Sequence, residues 1–515
     1  SVDLQYSCRQ AVFVSTNQGF LHALDPEVNG GPDAQATDID AREIFSWIPQ
    51  ELLGNLGKYQ ENRIDREHHY GLDGSMSIWI DDKDGDLTVD PSEKAFLFVG
   101  MRRGGNSYYA LDVSDRDSPT LAWVITGGPG GTAGFEQLGQ TWARPVPARV
   151  QKDGEQLDVL VFTGGYSTNQ DPGAYVNGAP PPRTSDDIGA GVFMVDIATG
   201  ELVWSALNAG VTGAAGKVSN FPGMDYSMPG SAEVLDVNVD GLVDQIYASD
   251  TGGQVWRFDI EPYHRSDTFV RGGIFAKLGS ETDPTRQRRF YYEPDASLIE
   301  RDGQRFVSIS IGSGWRAHPL NETISDRFYV LRSPHLYERP DGYGKYDKDT
   351  DTWSPITDLD LVDAASNELE ADVNGHGWYK TLDAIGEKVL ASSLTVNNKV
   401  AFTSYKPSQG VTLCSAAVGS GAVYVLDIVS GKAVNDLDGD GDVDENDDSS
   451  QLKHPGVPPG IVAIFTENDQ TALVGGEQVD IGFGLLTQRT YWTDLSGSPD
   501  ATDLEDLLVS EEDLE

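Results

Sequence analysis

Short apolar runs recur along the 515-residue chain, each followed by a glycine-rich or polar turn and then a second apolar run closing on Asp. They read AVFVSTNQGFLHALD at 11–25, AFLFVGMRRGGNSYYALD at 95–112, LVFTGGYSTN with GVFMVDIATGELVW at 160–204, and DQIYASDTGGQVWRFD at 244–259. FVSISIGSGW with DRFYVLR at 306–332 and KVAFTSY with GAVYVLD at 399–427 continue the series. Runs of this length, bounded by turn residues, predict pairs of strands, and the closing Asp predicts a turn cap, because its short side chain accepts hydrogen bonds from the amides just after it. Between the pairs lies another element of small residues, an apolar alternation and an Asp- or Gly-bearing turn. It is seen in GSMSIWIDDKDGD at 74–86, ARPVPARVQKDG at 143–154, GSAEVLDVNVDG at 230–241 and DASLIERDGQ at 295–304. One such strand, the pair and a connecting strand make a four-stranded sheet. Radial repetition of such sheets leaves only short, protected edges.

Six copies are visible, and IVAIFTEN with LLTQRTYWTD at 461–494 offers strands for a seventh. The expectation is an all-β chain, a modified seven-bladed β-propeller over 1–495 with long irregular loop insertions. Two consecutive β-sandwiches are the alternative, since the spacing is irregular. Polar excursions at 168–190, 207–227 and 336–378 exceed hairpin length and are expected to decorate one face. The last 25 residues hold nine acidic and no basic residues, so 496–515 reads as an acidic, mobile tail.

Charge narrows the partners. With 37 basic and 82 acidic residues the net charge is −45, and such a field repels phosphate backbones, which argues against nucleic acid. No apolar run approaches the ~20 residues of a membrane-spanning helix. Ser1–Gln10 has neither the basic nor the apolar region of a signal peptide, so the chain reads as an internal or processed piece. Cys8 and Cys414 form no metal-binding pattern; a disulfide and two unpaired thiols are equally open.

The strongest chemical signal is acidic. DVNVDGLVD places Asp236, Asn238 and Asp240 at positions 1, 3 and 5 of a calcium loop, with the Leu242 carbonyl at 7, Asp244 at 9 and Gly241 at the sharp turn. A hard cation wants six to eight oxygens, and this spacing turns alternate groups inward. Tyr247 stands where a helical EF-hand has its bidentate Glu, so the loop is EF-hand-like in its ligands but flanked by strands. DLDGDGDVDEND is more complete by pattern, with Asp436, Asp438, Asp440, Asp442, Asp444 and Asp447. DKDGDLTVDPSE offers Asp82, Asp84, Asp86, Thr88, Asp90 and Glu93, but Leu87 replaces the turn glycine, which makes it the weakest of the three. In so acidic a chain, each also reads as a plain solvated turn.

Enzyme motifs are missing: there is no H-E-x-x-H and no G-x-S-x-G, and GVTGAAGKVS at 210–219 has the wrong spacing for a phosphate loop. His68 and His69 are adjacent, so on a strand they point to opposite faces. GVFMVDIATGELVW at 191–204 resembles a blade motif of quinoprotein dehydrogenases, in which the Trp docks one blade on the next. The full motif occurs once and the adjacent-cysteine pair of many of those enzymes is missing. A quinone-dependent propeller dehydrogenase is therefore the alternative function, with a generic glycan-binding propeller behind it.

VFVSTNQGFLHALD at 12–25, HYGLDGSMSIWI at 69–80, GSAEVLDVNVDGLVDQIYASDTGGQVWRFD at 230–259 and GSGWRAHPLNETISDRFYVLR at 312–332 together carry a closer likeness. The chain resembles the C-terminal propeller domain of PilY-type type IV pilus biogenesis factors and tip-associated adhesins. The resemblance implies a non-enzymatic protein of the cell surface, pilus and outer membrane, exported through the periplasm, that promotes pilus extension, antagonises retraction and supports twitching motility and attachment. It implies Ca2+ on Asp236, Asn238, Asp240, Leu242 and Asp244. It also implies pilins or minor pilins as partners, and host contact through regions outside this chain.

Overall fold

The first six predicted strand pairs are antiparallel in the computed structural model, which describes residues 10–26, 42–61, 68–85, 89–171, 183–211, 216–261, 269–301, 303–337, 339–365, 375–408, 418–437, 441–465, 470–479 and 481–482; LLTQRTYWTD at 485–494, offered as the second half of the seventh, lies outside the described residues, and that blade is built instead from 462–479. The hairpins assemble into seven sheets, and a separate two-stranded ribbon joins Lys345–Asp347 to Thr352–Ser354. Blade 1 is Val12–Ser15, Leu21–Asp25 and Arg42–Trp47. Blade 2 is Met76–Ile80, Ala95–Gly100, Ser107–Asp112 and Thr120–Thr126. Blade 3 runs Val146–Lys152, Glu155–Thr163, Val192–Asp196 and Leu202–Asn208, with Val218–Phe221 added in parallel at its edge. Blade 4 is Glu233–Leu235, Gln245–Ser249, Gln254–Ile260 and Val270–Lys277. Blade 5 is Asp295–Arg301, Gln304–Gly312, Arg327–Ser333 and Gly377–Thr381, with Val362–Asp363 parallel to the last. Blade 6 is Leu394–Val396, Lys399–Lys406, Ser420–Asp427 and Ser449–Pro455. Blade 7 is Val462–Phe465, Gln470–Val474 and Glu477–Val479. This is the seven-bladed propeller that the repeats predicted. The 496–515 tail and both cysteines lie outside the described residues.

The apolar alternation of each blade is spent between blades. Trp204 of blade 3 is buried and meets Phe258 of blade 4 edge-on at 5.8 Å, and Phe328 of blade 5 stacks on Phe402 of blade 6 at 3.8 Å. The terminal Asp residues cap as expected. Asp196 Oδ1 accepts the amides of Ala198 and Thr199, and Asp427 Oδ1 those of Val429 and Ser430.

These two turns reveal a repeated lock. Trp123, on the last strand of blade 2, donates Nε1–H to the Ile197 carbonyl of blade 3 at 3.1 Å and covers Gly200. Trp378, on the last strand of blade 5, does the same to Ile428 of blade 6 at 3.0 Å and covers Gly431. DIATG and DIVSG are thus two copies of one docking turn. Sequence reading counted the motif once because it paired the turn with the Trp of its own blade, whereas the docking Trp comes from the blade before.

Alternation of strand direction sorts the loops. Connections from first to second and from third to fourth strand leave one face; those from second to third strand, and from blade to blade, leave the other. The excursions at 168–190 and 207–227 rise from the second face. The third, at 336–378, does not join them: it leaves between the third and fourth strands of blade 5, at the opposite end. It then climbs the outer wall, where Ile356 bridges Phe275 and Lys277 of blade 4 and Val362–Asp363 joins the blade edge. One-face decoration therefore fails for this segment, because backbone groups released from the third strand are satisfied along the wall on the way up.

First strands of blades 2 and 3, 4 and 5, and 5 and 6 touch around the axis, and buried acids lie among them. Burial pushes Glu233 up to about 8, with Asp295 and Glu293 pushing the same way and Arg144 opposing. The folded chain thus holds a proton that the unfolded chain releases from its ordinary value of 4.5 upward. The contribution of this group to stability falls as pH rises from there to about 8, and above that its full cost is present. Glu233→Gln should therefore melt a few degrees above the parent at pH 8 and level with it at pH 4 in calorimetric scans. Equal differences at both pH values would count against a buried proton there.

Candidate metal-binding loops

The segment 236–244 is the hairpin turn between the first two strands of blade 4, where Leu235 pairs with Gln245. Its apolar residues pin it: Val237 is buried against the core shared with blade 5, and Val243 packs toward blade 3 while donating its amide to the Arg149 carbonyl at 2.8 Å. Its polar residues close the turn. Asp236 accepts the amides of Asp240 at 3.1 Å and Gly241 at 2.7 Å, Asn238 accepts Asp240 at 2.9 Å, and Asp240 accepts Leu242 at 2.9 Å. Asp244 accepts Val237 at 2.8 Å. Burial raises its carboxyl above the usual range; these amides oppose the shift and the charges of Asp240 and Asp236 add to it. Val239 and Gly241 lie at φ 61° and 87°, and Val239 stands 85% exposed at the tip.

All five predicted ligands thus share one nine-residue turn. Their side-chain oxygens converge on its amides, while the carboxylates of Asp236, Asp240 and Asp244 do not all come within 4.8 Å of one another. Among the described residues only Asp82, Asp84 and Glu93 do, in the loop that sequence pattern ranked last. That loop joins the first two strands of blade 2. Glu93 is buried and accepts the amides of Lys83 at 2.7 Å and Asp90 at 3.0 Å, and Asp82 accepts Gly85 at 2.7 Å.

The 436–447 loop, between the third and fourth strands of blade 6, is built alike. Asp447 is buried and accepts Leu437 at 2.7 Å and Asp444 at 2.9 Å, and Asp436 accepts Gly441 at 2.9 Å. Asp442 and Asp444 lie on its visible part; Asp438 and Asp440 lie outside the described residues, as do Asp86 and Thr88 of the blade 2 loop. In both loops the carboxylate at position 12 holds the amides of positions 2 and 9. Leu87 hid this likeness in the sequence. What defines the geometry is the buried position-12 acid, and its burial is set by the blade beneath. All three loops leave the same face of the propeller. His68 and Tyr70 meet edge-on at 4.6 Å.

A seven-bladed β-propeller with acidic turn loops gathered on one face defines a class in which a rigid repeat scaffold presents its ligand chemistry from loops. The chain belongs to the PilY1 β-propeller domain family, whose model matches residues 2–273. It is 25% identical over 448 residues to a type IV pilus biogenesis factor PilY1 homolog of Xylella fastidiosa, covering 82% of this chain and 26% of that protein. It is 26% identical over 386 residues to type IV pilus biogenesis factor PilY1 of Pseudomonas aeruginosa, covering 74% and 28%. The chain therefore spans about a quarter of the length of these curated relatives, which are named as type IV pilus biogenesis factors. In fold it matches the crystal structure of the P. aeruginosa PilY1 C-terminal domain with a TM-score of 0.58 at 18% identity, over 92% of this chain and 93% of that one. Quinohemoprotein alcohol dehydrogenases reach only 0.38 and 0.39 at 12% identity, too remote to carry an activity across. Among the described residues no helix is long and apolar enough to cross a membrane.

Proposed function

We propose that this propeller is a calcium-binding, non-enzymatic regulator of type IV pilus biogenesis that promotes extension, antagonises retraction and supports twitching motility and surface attachment. It works at the cell surface after export through the periplasm, with pilins or minor pilins as partners. The observation that carries this reading is the 236–244 turn, which holds three carboxylates, an amide side chain and the Leu242 carbonyl, with no basic residue, on a hairpin anchored to the blades on both sides. Asp236, Asn238, Asp240, the Leu242 carbonyl and Asp244 would hold the ion, and water can complete a shell of six to eight oxygens. A bound divalent charge offsets the repulsion of the three carboxylates. In its absence the carboxylates repel one another, and the exposed tip of the turn is held by its amide hydrogen bonds while Val237 and Val243 keep its base packed, so the surface around the tip is looser. The control works if the pilus partner binds the two forms unequally. Loop 436–447, with Asp436, Asp438, Asp440, Asp442, Asp444 and Asp447, is the second candidate.

Calorimetric titration of calcium into the metal-stripped chain, Asp236→Ala and Asp436→Ala tests the assignment at physiological salt. One binding event should vanish in Asp236→Ala, with any residual event removed by Asp436→Ala. Identical isotherms in the parent and Asp236→Ala would move the ion elsewhere and remove the basis for a switch at this turn.

A further inference from the structure

The face opposite the acidic loops gathers several arginines at its centre. There the axial channel opens into a cavity of about 220 Å3 lined by Arg102, Trp142, Arg144, Ser231, Tyr292 and Glu293, among others. These come from blades 2 to 5, so the site exists only in the assembled ring. Arg102 lies over the Trp142 ring at 5.0 Å, Arg103 shares that ring at 5.4 Å, and Arg316 lies over Tyr292 at 5.7 Å. Cation–π contacts of this kind hold a guanidinium against the wall, and the planar guanidinium of Arg102 has N–H donors that can meet a planar anion.

The arginines stand out by what they lack. The chain has 82 acidic residues to 37 basic ones, so an arginine without an ion-pair partner is unusual. Neither Arg102 nor Arg144 makes an ion pair within 4 Å or a side-chain hydrogen bond with any described residue. Arg102 holds φ 52°, in the left-handed region, with its amide fixed on the Thr141 carbonyl at 3.0 Å. The Arg144 amide is fixed on Ser231 Oγ at 2.9 Å while its side chain is exposed. The nearby acids are Asp73 beside Arg102 and Arg103, Glu293 on the wall, and Glu233 and Asp295 deeper in the channel; none closes to ion-pair distance on Arg102 or Arg144. A volume of 220 Å3 is below the about 300–1,000 Å3 of pockets for drug-sized ligands, so the cavity suits one small anionic group.

We infer that the axial mouth is a carboxylate-binding site in which Arg102 and Arg144 clamp one carboxylate between the Trp142 and Tyr292 walls. The group has two sources, a free small dicarboxylate or an acidic residue ending a peptide chain. A dicarboxylate enters whole, whereas a peptide leaves its remainder on the open face. Because the clamp and the calcium-type loops are on opposite faces, the site acts without reference to metal.

The test is calorimetric titration of the full chain with succinate and with a hexapeptide ending in a free Glu, beside the same peptide ending in amidated Gln. Binding of either probe, with no heat from the amidated Gln peptide, is expected, and the tighter of the two identifies the source. Arg144→Gln should weaken that binding about tenfold or more, Arg144→Lys less, and Glu293→Gln should strengthen it by removing a like charge. Binding unchanged by Asp236→Ala and by chelator keeps this result separate from the calcium reading. Absence of heat from both probes at millimolar concentration, or equal affinity in the parent and Arg144→Gln with unchanged melting temperature, would overturn the assignment.

Discussion

Asp358→Ala is expected to destabilise the propeller by about 3–5 kcal/mol, the usual cost of removing one partner from a buried ion pair. Asp358 Oδ2 meets Arg288 at 2.8 Å, Arg286 at 2.9 Å and Arg327 at 3.1 Å, and its Oδ1 accepts the Tyr329 hydroxyl at 3.1 Å. Arg288 is 2% exposed and comes from the link between blades 4 and 5, whereas Asp358 comes from the excursion that climbs the outer wall. The variant therefore strands a buried guanidinium and also loosens the segment that straps the two blades. Chemical denaturation of the parent, Asp358→Ala and Asp358→Asn measures it. Asn keeps one acceptor for Tyr329 but not the charge, so it should lose most of the same stability. A loss below about 1 kcal/mol in Asp358→Ala would mean that solvent reaches Arg288 freely.

The second large effect is functional. In the full-length protein, Asp236→Ala should remove the calcium-dependent stabilisation contributed by this turn and, in cells with an active retraction motor, abolish surface piliation. A ligand at a hundredfold excess over its dissociation constant stabilises by about 2.7 kcal/mol, and that increment should vanish in the variant. The fold should persist without calcium, because Val237 and Val243 remain packed against the blades. Asp244→Lys should instead retain piliation without metal, since its ammonium would sit near Asp236 and Asp240. Normal piliation with Asp236→Ala, at normal protein level, would separate this turn from pilus control.

Sequence determined more of the scaffold than of its wiring. Apolar runs, turn glycines and closing Asp residues are local signals, and they sufficed for six blades and the count of seven because each hairpin is made by neighbours in the chain; the last two strands of blade 7, at 470–479, were not among them. The 236–244 turn was legible for the same reason, since its five candidate ligands fall within nine residues. Other features join residues far apart in the chain. Trp123 reaches Ile197, and Trp378 reaches Ile428. Asp358 gathers three arginines from two other segments, and the axial cavity draws its walls from residues 75 to 392. No spacing rule predicts such meetings. Likewise, the burial of Glu93 and Asp447 depends on the blades beneath them, so only the tertiary structure could rank loop 82–93 beside 436–447 despite Leu87. Local hydrogen bonding and alternation are written in the order of residues; burial and the pairing of distant charges are decided when the ring closes.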